Sequence, residues 1–200
     1  DIGLGQELFH SRRPNIELRG QDEFKYHVDF DHLNIREDTG AICISRPTNP
    51  TGNVVTDEEI LGLREIAARQ DIPLIIDGAY GAPFPNIIFT EVTPIWDPGM
   101  IVCLSLSKFG MPGVRTGIVV ADDTVIRAVT SANAILSLSP GSFGPALVTE
   151  AMQSGELLRI SSDLIRPYYR HHLDQAVAWI RDQLAGYPYR IHTPEGAIFL

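Results

Sequence analysis

The sequence is poor in cysteine, in long apolar runs and in clustered basic residues, and each scarcity narrows the possible functions. Only two cysteines occur among 200 residues. Both fall in apolar runs typical of central strands, so we expect Cys43 and Cys103 to be small buried residues of a protein in a reducing compartment. No apolar run approaches the length needed to span a bilayer, and we recognise no signal peptide in the printed residues. We therefore expect a cytoplasmic protein without a membrane partner.

Charge and motif content exclude further classes. The formal net charge is −9 and the pI is about 5.0. No basic patch occurs, which argues against nucleic acid as a partner. The sequence contains six histidines but neither a CxxC nor an HExxH motif, so we expect no metal site. It also lacks a GxGxxG motif after a strand, which argues against a plain dinucleotide-binding α/β domain.

Apolar runs and helical periodicities alternate along the chain, which favours an α/β fold with a mostly parallel, mixed sheet and helices on both of its faces. A short turn precedes residues 117–121, so that strand is expected to run antiparallel to its predecessor. Pro167 should kink or interrupt the last helix. The predicted strands are 24–30, 41–45, 73–77, 100–105, 117–121 and 189–192, and the predicted helices are 57–70, 124–136, 143–152 and 156–184. We expect residues 1–40 to be otherwise irregular.

The segment 105–117 combines a lysine, two hydroxyls and an arginine around a Gly/Pro-rich turn. Lys108 follows a buried strand, where desolvation lowers the pKa of an amine and allows a Schiff base to form. Ser105, Ser107 and Arg115 are hydroxyl donors and a planar cation, which suit a phosphate group. A reactive lysine beside a phosphate site is the chemistry that pyridoxal 5′-phosphate (PLP) requires.

Two further segments place polar side chains after apolar runs. Asn49 lies between Pro47 and Pro50 in a turn that precedes the capping box of a helix, so its amide is free to contact a ligand. Asp77 ends the apolar run that begins at residue 73, and Tyr80 follows three positions later. The carboxyl ends of strands in open α/β sheets are the usual places for ligands. Taken alone, each segment is also compatible with an ordinary turn.

Together, the three segments resemble the fold-type-I PLP-dependent enzymes, specifically the class I and II aminotransferases. The resemblance covers residues 36–200 and implies a role for each matching residue. Lys108 would bind PLP as a Schiff base and shuttle the proton, while Asp77 would pair with the pyridinium nitrogen. Tyr80 and Asn49 would hydrogen-bond the 3-oxygen of the ring. The phosphate would be held by Ser105 and Arg115, with help from Ser107.

The resemblance also implies an organisation and a reaction. Residues 1–170 would be a cofactor-binding large domain that is incomplete at its N-terminal side. Residues 171–200 would be an interdomain helix and the start of a small α/β domain, with the arginine for the substrate carboxylate outside the chain. The complete protein would be a homodimer that moves an amino group between an amino acid and a 2-oxo acid. A narrower resemblance, carried by residues 14–18, 24–30, 45–54, 83–89 and 194–200, implies valine and pyruvate.

Two alternatives share the same cofactor and residues. One is a PLP-dependent lyase, and the other is the PLP-binding sensor domain of a transcription regulator. The residues discussed above do not separate these from an aminotransferase, whereas product analysis or an upstream helix-turn-helix pattern would.

Overall fold

Two small sheets and five helices organise residues 9–200, the part of the chain described by the computed structural model. Predictions for residues 1–8 lie outside the described residues. The strands are β1 (Asn15–Arg19), β2 (Glu23–His27), β3 (Ile42–Ser45), β4 (Leu74–Asp77), β5 (Met100–Ser105), β6 (Gly117–Val120) and β7 (Ile191–His192). The helices are α1 (Asp57–Arg69), α2 (Asp123–Ser137), α3 (Phe143–Gln153), α4 (Glu156–Ile160) and α5 (Arg166–Gln183).

The four-stranded sheet has the order β3-β4-β5-β6. The first three strands are parallel, and β6 pairs antiparallel with β5. Helix α1 forms the crossover between β3 and β4, as a parallel connection requires, while a short turn suffices between β5 and β6. The predicted α/β class, the mixed sheet and the direction of β6 are therefore confirmed.

One face of this sheet packs against α1. The side chains of Leu74 and Met100 lie on the face of the sheet that α1 covers. They form one buried cluster with Ile60 and Leu63 of the helix. All four side chains are at most 2% exposed. Burial of each such side chain stabilises the fold by about 1.5–3 kcal/mol, so this cluster fixes the orientation of the strand ends that carry the site.

The opposite face of the same sheet is more open. Cys43, Asp77 and Val119 point to this side by the alternation of side chains along their strands, and all three are exposed. The prediction that Cys43 is buried is therefore wrong, because its side chain points away from the face that α1 covers. Cys103, on the same open face, is only partly buried.

The three-stranded sheet joins distant parts of the chain, with β2 between β1 and β7. Strand β2 pairs antiparallel with β1 and parallel with β7. The sequence predicted β2 and β7, but β1 was missed although its residues alternate between polar and apolar, as is typical of a strand. In the structure its apolar residues Ile16 and Leu18 are each 60% exposed. The division at residue 170 stays a prediction, and the β2–β7 pairing shows that segments on both sides of it share a sheet.

The last long helical region is interrupted as predicted. Helix α4 passes into a π-helical segment, Ser161–Ile165, before α5 begins at Arg166. Pro167 lacks the N–H that would bond the carbonyl of Asp163, so the regular hydrogen-bond pattern cannot continue through it. Ser161 also turns its hydroxyl back to the carbonyl of Leu157, at 2.8 Å, a contact that often bends helices.

The N-terminus of α1 carries the capping box that the sequence predicts. The Thr56 hydroxyl accepts a hydrogen bond from the backbone N–H of Glu59 at 3.2 Å, and the Glu59 carboxylate accepts one from Thr56 N–H at 2.8 Å. Two N–H groups that the helix cannot satisfy internally are thereby paired.

Replacing Thr56 by alanine should lower the free energy of unfolding by about 1 kcal/mol, because the Glu59 N–H loses its acceptor. Urea denaturation of the protein expressed from its complete reading frame would measure this change. The matched control is Thr124→Ala, an exposed threonine inside the first turn of α2, where Asp122 provides the cap. Equal losses for the two variants would contradict the capping contribution.

Candidate active site

Polar side chains converge at the carboxyl ends of two neighbouring parallel strands. Asp77 is the last residue of β4 and Ser105 the last of β5, and in the register of the pair Asp77 lies opposite Cys103. Parallel strands present their carboxyl ends at one edge of the sheet, where open α/β sheets bind ligands. The structure therefore brings the predicted acid and the predicted phosphate ligands to the same edge.

The Asp77 carboxylate is exposed yet held in a defined orientation. Its Oδ1 accepts a hydrogen bond from Ala79 N–H at 3.0 Å, and its Oδ2 lies 3.5 Å from the hydroxyl of Ser45. Ser45 was not predicted as a site residue, although its place as the last residue of the neighbouring strand β3 is a signal that could have identified it. Burial raises the pKa of the Cys103 thiol, and the nearby negative charge of Asp77 raises it further.

The predicted phosphate ligands form one hydrogen-bonded chain. The Ser105 hydroxyl accepts from Ser107 N–H at 3.1 Å, and the Ser107 hydroxyl accepts from Arg115 Nη1 at 3.3 Å. Arg115 also donates to the carbonyl of Pro112 at 3.2 Å. Its backbone is left-handed, with φ of 47°, which turns the chain back toward β6 after the Gly/Pro-rich turn. Two hydroxyls and an exposed guanidinium are thus gathered in one place.

The sequence contains only two lysines, and the structure gives them different environments. Lys25 is 2% exposed and forms an ion pair with Glu195. Lys108 is partly buried, and its Nζ lies 5.3 Å from the centroid of the Tyr80 ring. The amine of Lys108 is therefore the more accessible of the two, and it faces an aromatic side chain at the same sheet edge.

Tyr80 is buried and packs against a second aromatic side chain. Its side chain is 6% exposed, and its ring meets that of Phe199 edge-on, with 5.6 Å between centroids. Such a pair contributes about 0.5–1.5 kcal/mol beyond simple burial. Phe199 was not predicted to take part in the site, and no local sequence signal places it here, because 119 residues separate it from Tyr80.

Asn49 makes no side-chain hydrogen bond to the other predicted residues within the described part of the chain. It is exposed in the loop after β3, which is closed by hydrogen bonds from Thr48 N–H to Asn53 O and from Gly52 N–H to Thr48 O, both 2.8 Å. Within residues 9–200, its side chain makes no hydrogen bond to the other six. The structure thus connects Tyr80 with Lys108, and Ser105 with Ser107 and Arg115. Among the described residues, neither Asn49 nor Asp77 makes a hydrogen bond to another predicted site residue.

An ion pair that the sequence did not predict anchors the loop carrying Asn49. Arg46 follows β3 directly, is 7% exposed, and pairs with Asp57 at the start of α1. The Asp57 carboxylate also accepts from Thr93 N–H at 3.0 Å. Burial acts to raise the pKa of Asp57, but the hydrogen bonds from Arg46 and Thr93 outweigh it and hold that pKa below its ordinary value. The loop is therefore tied to α1 by a charged contact.

The donor set suits a phosphorylated pyridine aldehyde. Hydroxyls and a guanidinium match a phosphate dianion, a carboxylate matches a protonated ring nitrogen, and an amine matches an aldehyde carbon. By contrast, the described residues contain no group of three or more His, Cys, Asp or Glu side chains that could hold a metal ion. Among the same residues, no helix is both long and apolar enough to cross a membrane.

Comparison with known proteins identifies the class that this fold and site define. The sequence profile described as "Aminotransferase class I and II" matches residues 10–200. The chain therefore belongs to the class I and II aminotransferases, and the resemblance noted from its motifs is confirmed.

Within this family, the chain is more similar to some members than to others. The chain is 54% identical over all 200 residues to valine–pyruvate aminotransferase of Escherichia coli K12, of which it covers 48%. It superimposes with a TM-score of 0.91 on the crystal structure of valine–pyruvate aminotransferase from Salmonella typhimurium LT2, at 53% identity, covering 96% of this chain and 50% of that one. Aspartate aminotransferase of Thermus thermophilus, at 23% identity over 74% of this chain and 39% of that one, shares the fold with a TM-score of 0.66. The chain spans about half the length of the relatives it matches.

Proposed function

We propose that this chain is the cofactor-binding part of a PLP-dependent aminotransferase that moves an amino group from valine to pyruvate, giving alanine. The observation that carries the proposal is the placement of Lys108. Of the two lysines in the sequence, it is the one whose amine is outside a buried ion pair, and it lies beside Tyr80 at the edge that also presents Asp77 and Ser105. The 54% identity to valine–pyruvate aminotransferase supports the choice of substrates.

The residues of the site divide the work by chemical type. Bound PLP would supply an electron sink for a carbanion at the substrate's α-carbon. Lys108 would hold the cofactor through its amine and, once released, take a proton from the α-carbon as a general base. Asp77 would keep a proton on the pyridine nitrogen by placing a negative charge beside it. Asp77, oriented in advance by hydrogen bonds from Ala79 and Ser45, would stabilise the positive charge of the protonated ring nitrogen, and that positive charge would in turn accept the negative charge developing on the substrate.

Binding and orientation would come from the remaining side chains. Ser105, Ser107 and Arg115 would hold the phosphate, because their linked hydroxyls and guanidinium already form one cluster. Tyr80 and Asn49 would donate to the ring's 3-oxygen, and we propose that Asn49 reaches the ring when the cofactor is bound. A guanidinium contacting phosphate makes charge-assisted hydrogen bonds, about twice as strong as neutral ones.

A homodimer, in the cytoplasm, is the proposed form of the complete protein. Helix α2 buries none of its residues in the described structure, and Ile135, Leu136 and Leu138 at its end are 78%, 85% and 87% exposed. Apolar side chains grouped in this way usually mark a surface that another segment or subunit covers. The free thiols of Cys43 and Cys103 support a reducing compartment.

The direct test incubates the protein from its complete reading frame with PLP, L-valine and pyruvate, and measures alanine and 3-methyl-2-oxobutanoate by mass spectrometry. We expect the two products in equal amounts, because each amino group removed from valine must reach pyruvate. Release of ammonia or carbon dioxide without alanine would indicate a lyase instead. PLP binding without turnover of any amino acid would favour the alternative of a PLP-binding sensor domain of a transcription regulator.

A further inference from the structure

Lys25 and Glu195 form a buried ion pair that takes no part in the chemical steps of the proposed reaction. We propose that Lys25 and Glu195 are positioning residues of the aminotransferase reaction, which hold the loop of Asn49 and the ring of Tyr80 in place. This inference rests on the proposed function. Its evidence is a set of contacts that runs from the ion pair to Tyr80 and to the loop that carries Asn49.

Both members of the pair form hydrogen bonds with the backbone of Val54. Lys25 Nζ donates to the carbonyl of Val54 at 2.8 Å, and Glu195 Oε2 accepts from the N–H of Val54 at 3.1 Å. Lys25 is 2% exposed and Glu195 6% exposed, so the pair and its backbone partner are shielded from water. Val54 directly follows the closed turn that carries Asn49, and the two charges therefore fix the end of that loop.

The segment after Glu195 lies against both site loops. The backbone of Gly196 is so close to the Asn49 loop that a Cβ there would lie 2.7 Å from Pro47 Cγ, and a Cβ on Gly52 would lie 2.6 Å from Gly196 O. On the other side, Phe89 N–H donates to Glu195 O at 2.7 Å and Ala197 N–H donates to Ile87 O at 2.8 Å. Residues 195–197 are thus wedged between the Asn49 loop and the segment that follows Tyr80.

The same segment ends on Tyr80 itself. Phe199 packs edge-on against the Tyr80 ring, and the Lys108 amine lies 5.3 Å from the centroid of the same ring. A shift of residues 195–199 would therefore move Tyr80 relative to Lys108 and move the loop of Asn49 at the same time. The Glu195 carboxylate fixes the start of this segment, since Lys25, Val54 and Arg19 all contact it. The Arg19 Nη1 atom is 3.4 Å from Glu195 Oε1.

The test compares cofactor affinity in a double-mutant cycle. The first change is the double variant Lys25→Met/Glu195→Gln, which removes both charges together, because removing one alone would leave the other buried and unpaired. The amide oxygen introduced by Glu195→Gln can still accept from Val54 N–H. The second change, Asn49→Ala/Tyr80→Phe, removes the two donors to the ring oxygen. Equilibrium dialysis measures the Kd for PLP with protein prepared free of cofactor, and circular dichroism gives the melting temperature of each cofactor-free variant.

We expect the Lys25→Met/Glu195→Gln change to weaken PLP binding about 10-fold, the loss of roughly one to two hydrogen bonds. In the Asn49→Ala/Tyr80→Phe background, the same change should weaken binding less than about 2-fold, because residues that act through one another are not additive. The matched control, Glu156→Gln/Arg159→Gln, removes an exposed pair on α4 and should leave the Kd unchanged.

Equal losses of affinity in the two backgrounds, or an unchanged Kd for the Lys25→Met/Glu195→Gln variant, would overturn the inference while leaving the proposed function intact. Failure of the unsubstituted protein to bind PLP would overturn both. If the charge-free variant does not fold, Phe199→Leu replaces it in the cycle, since it removes the contact with Tyr80 at the far end of the same segment. Its loss of affinity should likewise disappear in the Tyr80→Phe background, and additivity there would refute the positioning role.

Discussion

Replacing Lys108 by alanine is expected to reduce transamination by about 10³-fold or more, since a positioned general base alone contributes about 10²–10⁴-fold and the covalent link to the cofactor is lost as well. Borohydride treatment of the PLP-loaded protein should reduce the lysine–cofactor bond to a stable adduct. Peptide mapping should find that adduct on Lys108, and the Lys108→Ala protein should yield none. The activity assay follows alanine formation from valine and pyruvate.

Two further variants make the Lys108 result specific. Lys108→Arg places a permanent positive charge near Tyr80 but cannot supply a neutral amine, because the guanidinium stays protonated. It should be as inactive as the alanine variant, whereas a purely electrostatic role would preserve activity. Arg127→Ala removes an exposed cation from α2 and should retain full activity. An adduct mapped to Lys25 would show that the assignment is wrong.

Replacing Asp77 by asparagine is expected to lower transamination about 10²–10³-fold, the usual loss when one oriented charge-stabilising group is removed. Asparagine has nearly the same shape and can still accept from Ala79 N–H, so the fold should be preserved. Without the carboxylate charge, Asp77 would no longer favour a proton on the ring nitrogen of bound PLP, and the cofactor would supply a weaker electron sink. Steady-state kinetics should show the loss mainly in kcat, with a smaller change in PLP affinity.

The charge of Asp77 can also be measured without turnover. Because that charge helps raise the pKa of the Cys103 thiol, Asp77→Asn should lower this pKa and speed alkylation of Cys103 at a fixed pH. The experiment is best done in a Cys43→Ser background without cofactor. Asp123→Asn, at an exposed acid on α2, is the matched control. Near wild-type transamination by Asp77→Asn would remove the residue from the mechanism.

Most of the four-stranded sheet could be predicted because its signals are local. Apolar runs mark β4 and β5, and the capping box marks α1, so the pattern and the structure agree there. Strand β1 has no apolar run, and its local signal, the alternation of Ile16 and Leu18 with polar residues, was overlooked. The pairing with β2 defines the strand. The prediction that Cys43 is buried was wrong for another reason. An apolar run indicates a strand, but it does not show which face of the sheet will be covered.

Candidate site residues could be named from the sequence where the chemistry follows directly from a strand end. Asp77, Ser105 and Lys108 fall into this class, and the structure gathers them at one edge, although their catalytic roles stay predictions. Arg46, Glu195 and Phe199 could not be found from the sequence, because their contacts depend on partners far away in the chain. Asn49 was predicted from a rigid turn, and the described contacts leave its link to the ring as a proposal.

The pairing of β2 with β7 bears on how the chain is made. Lys25 and Glu195 are separated by 170 residues, and at a synthesis rate of about 5–20 residues per second the ribosome needs roughly 10–30 s to produce the partner. During that time the four-stranded sheet can already assemble, because its parallel strands lie closer together in the sequence. The β1–β2 hairpin, by contrast, still lacks β7, the strand that pairs with the free edge of β2. Non-local contacts of this kind form late. Nascent chains stalled before residue 191 should therefore be cut by protease near residues 15–27, and those stalled after the tunnel has released residue 200 should not.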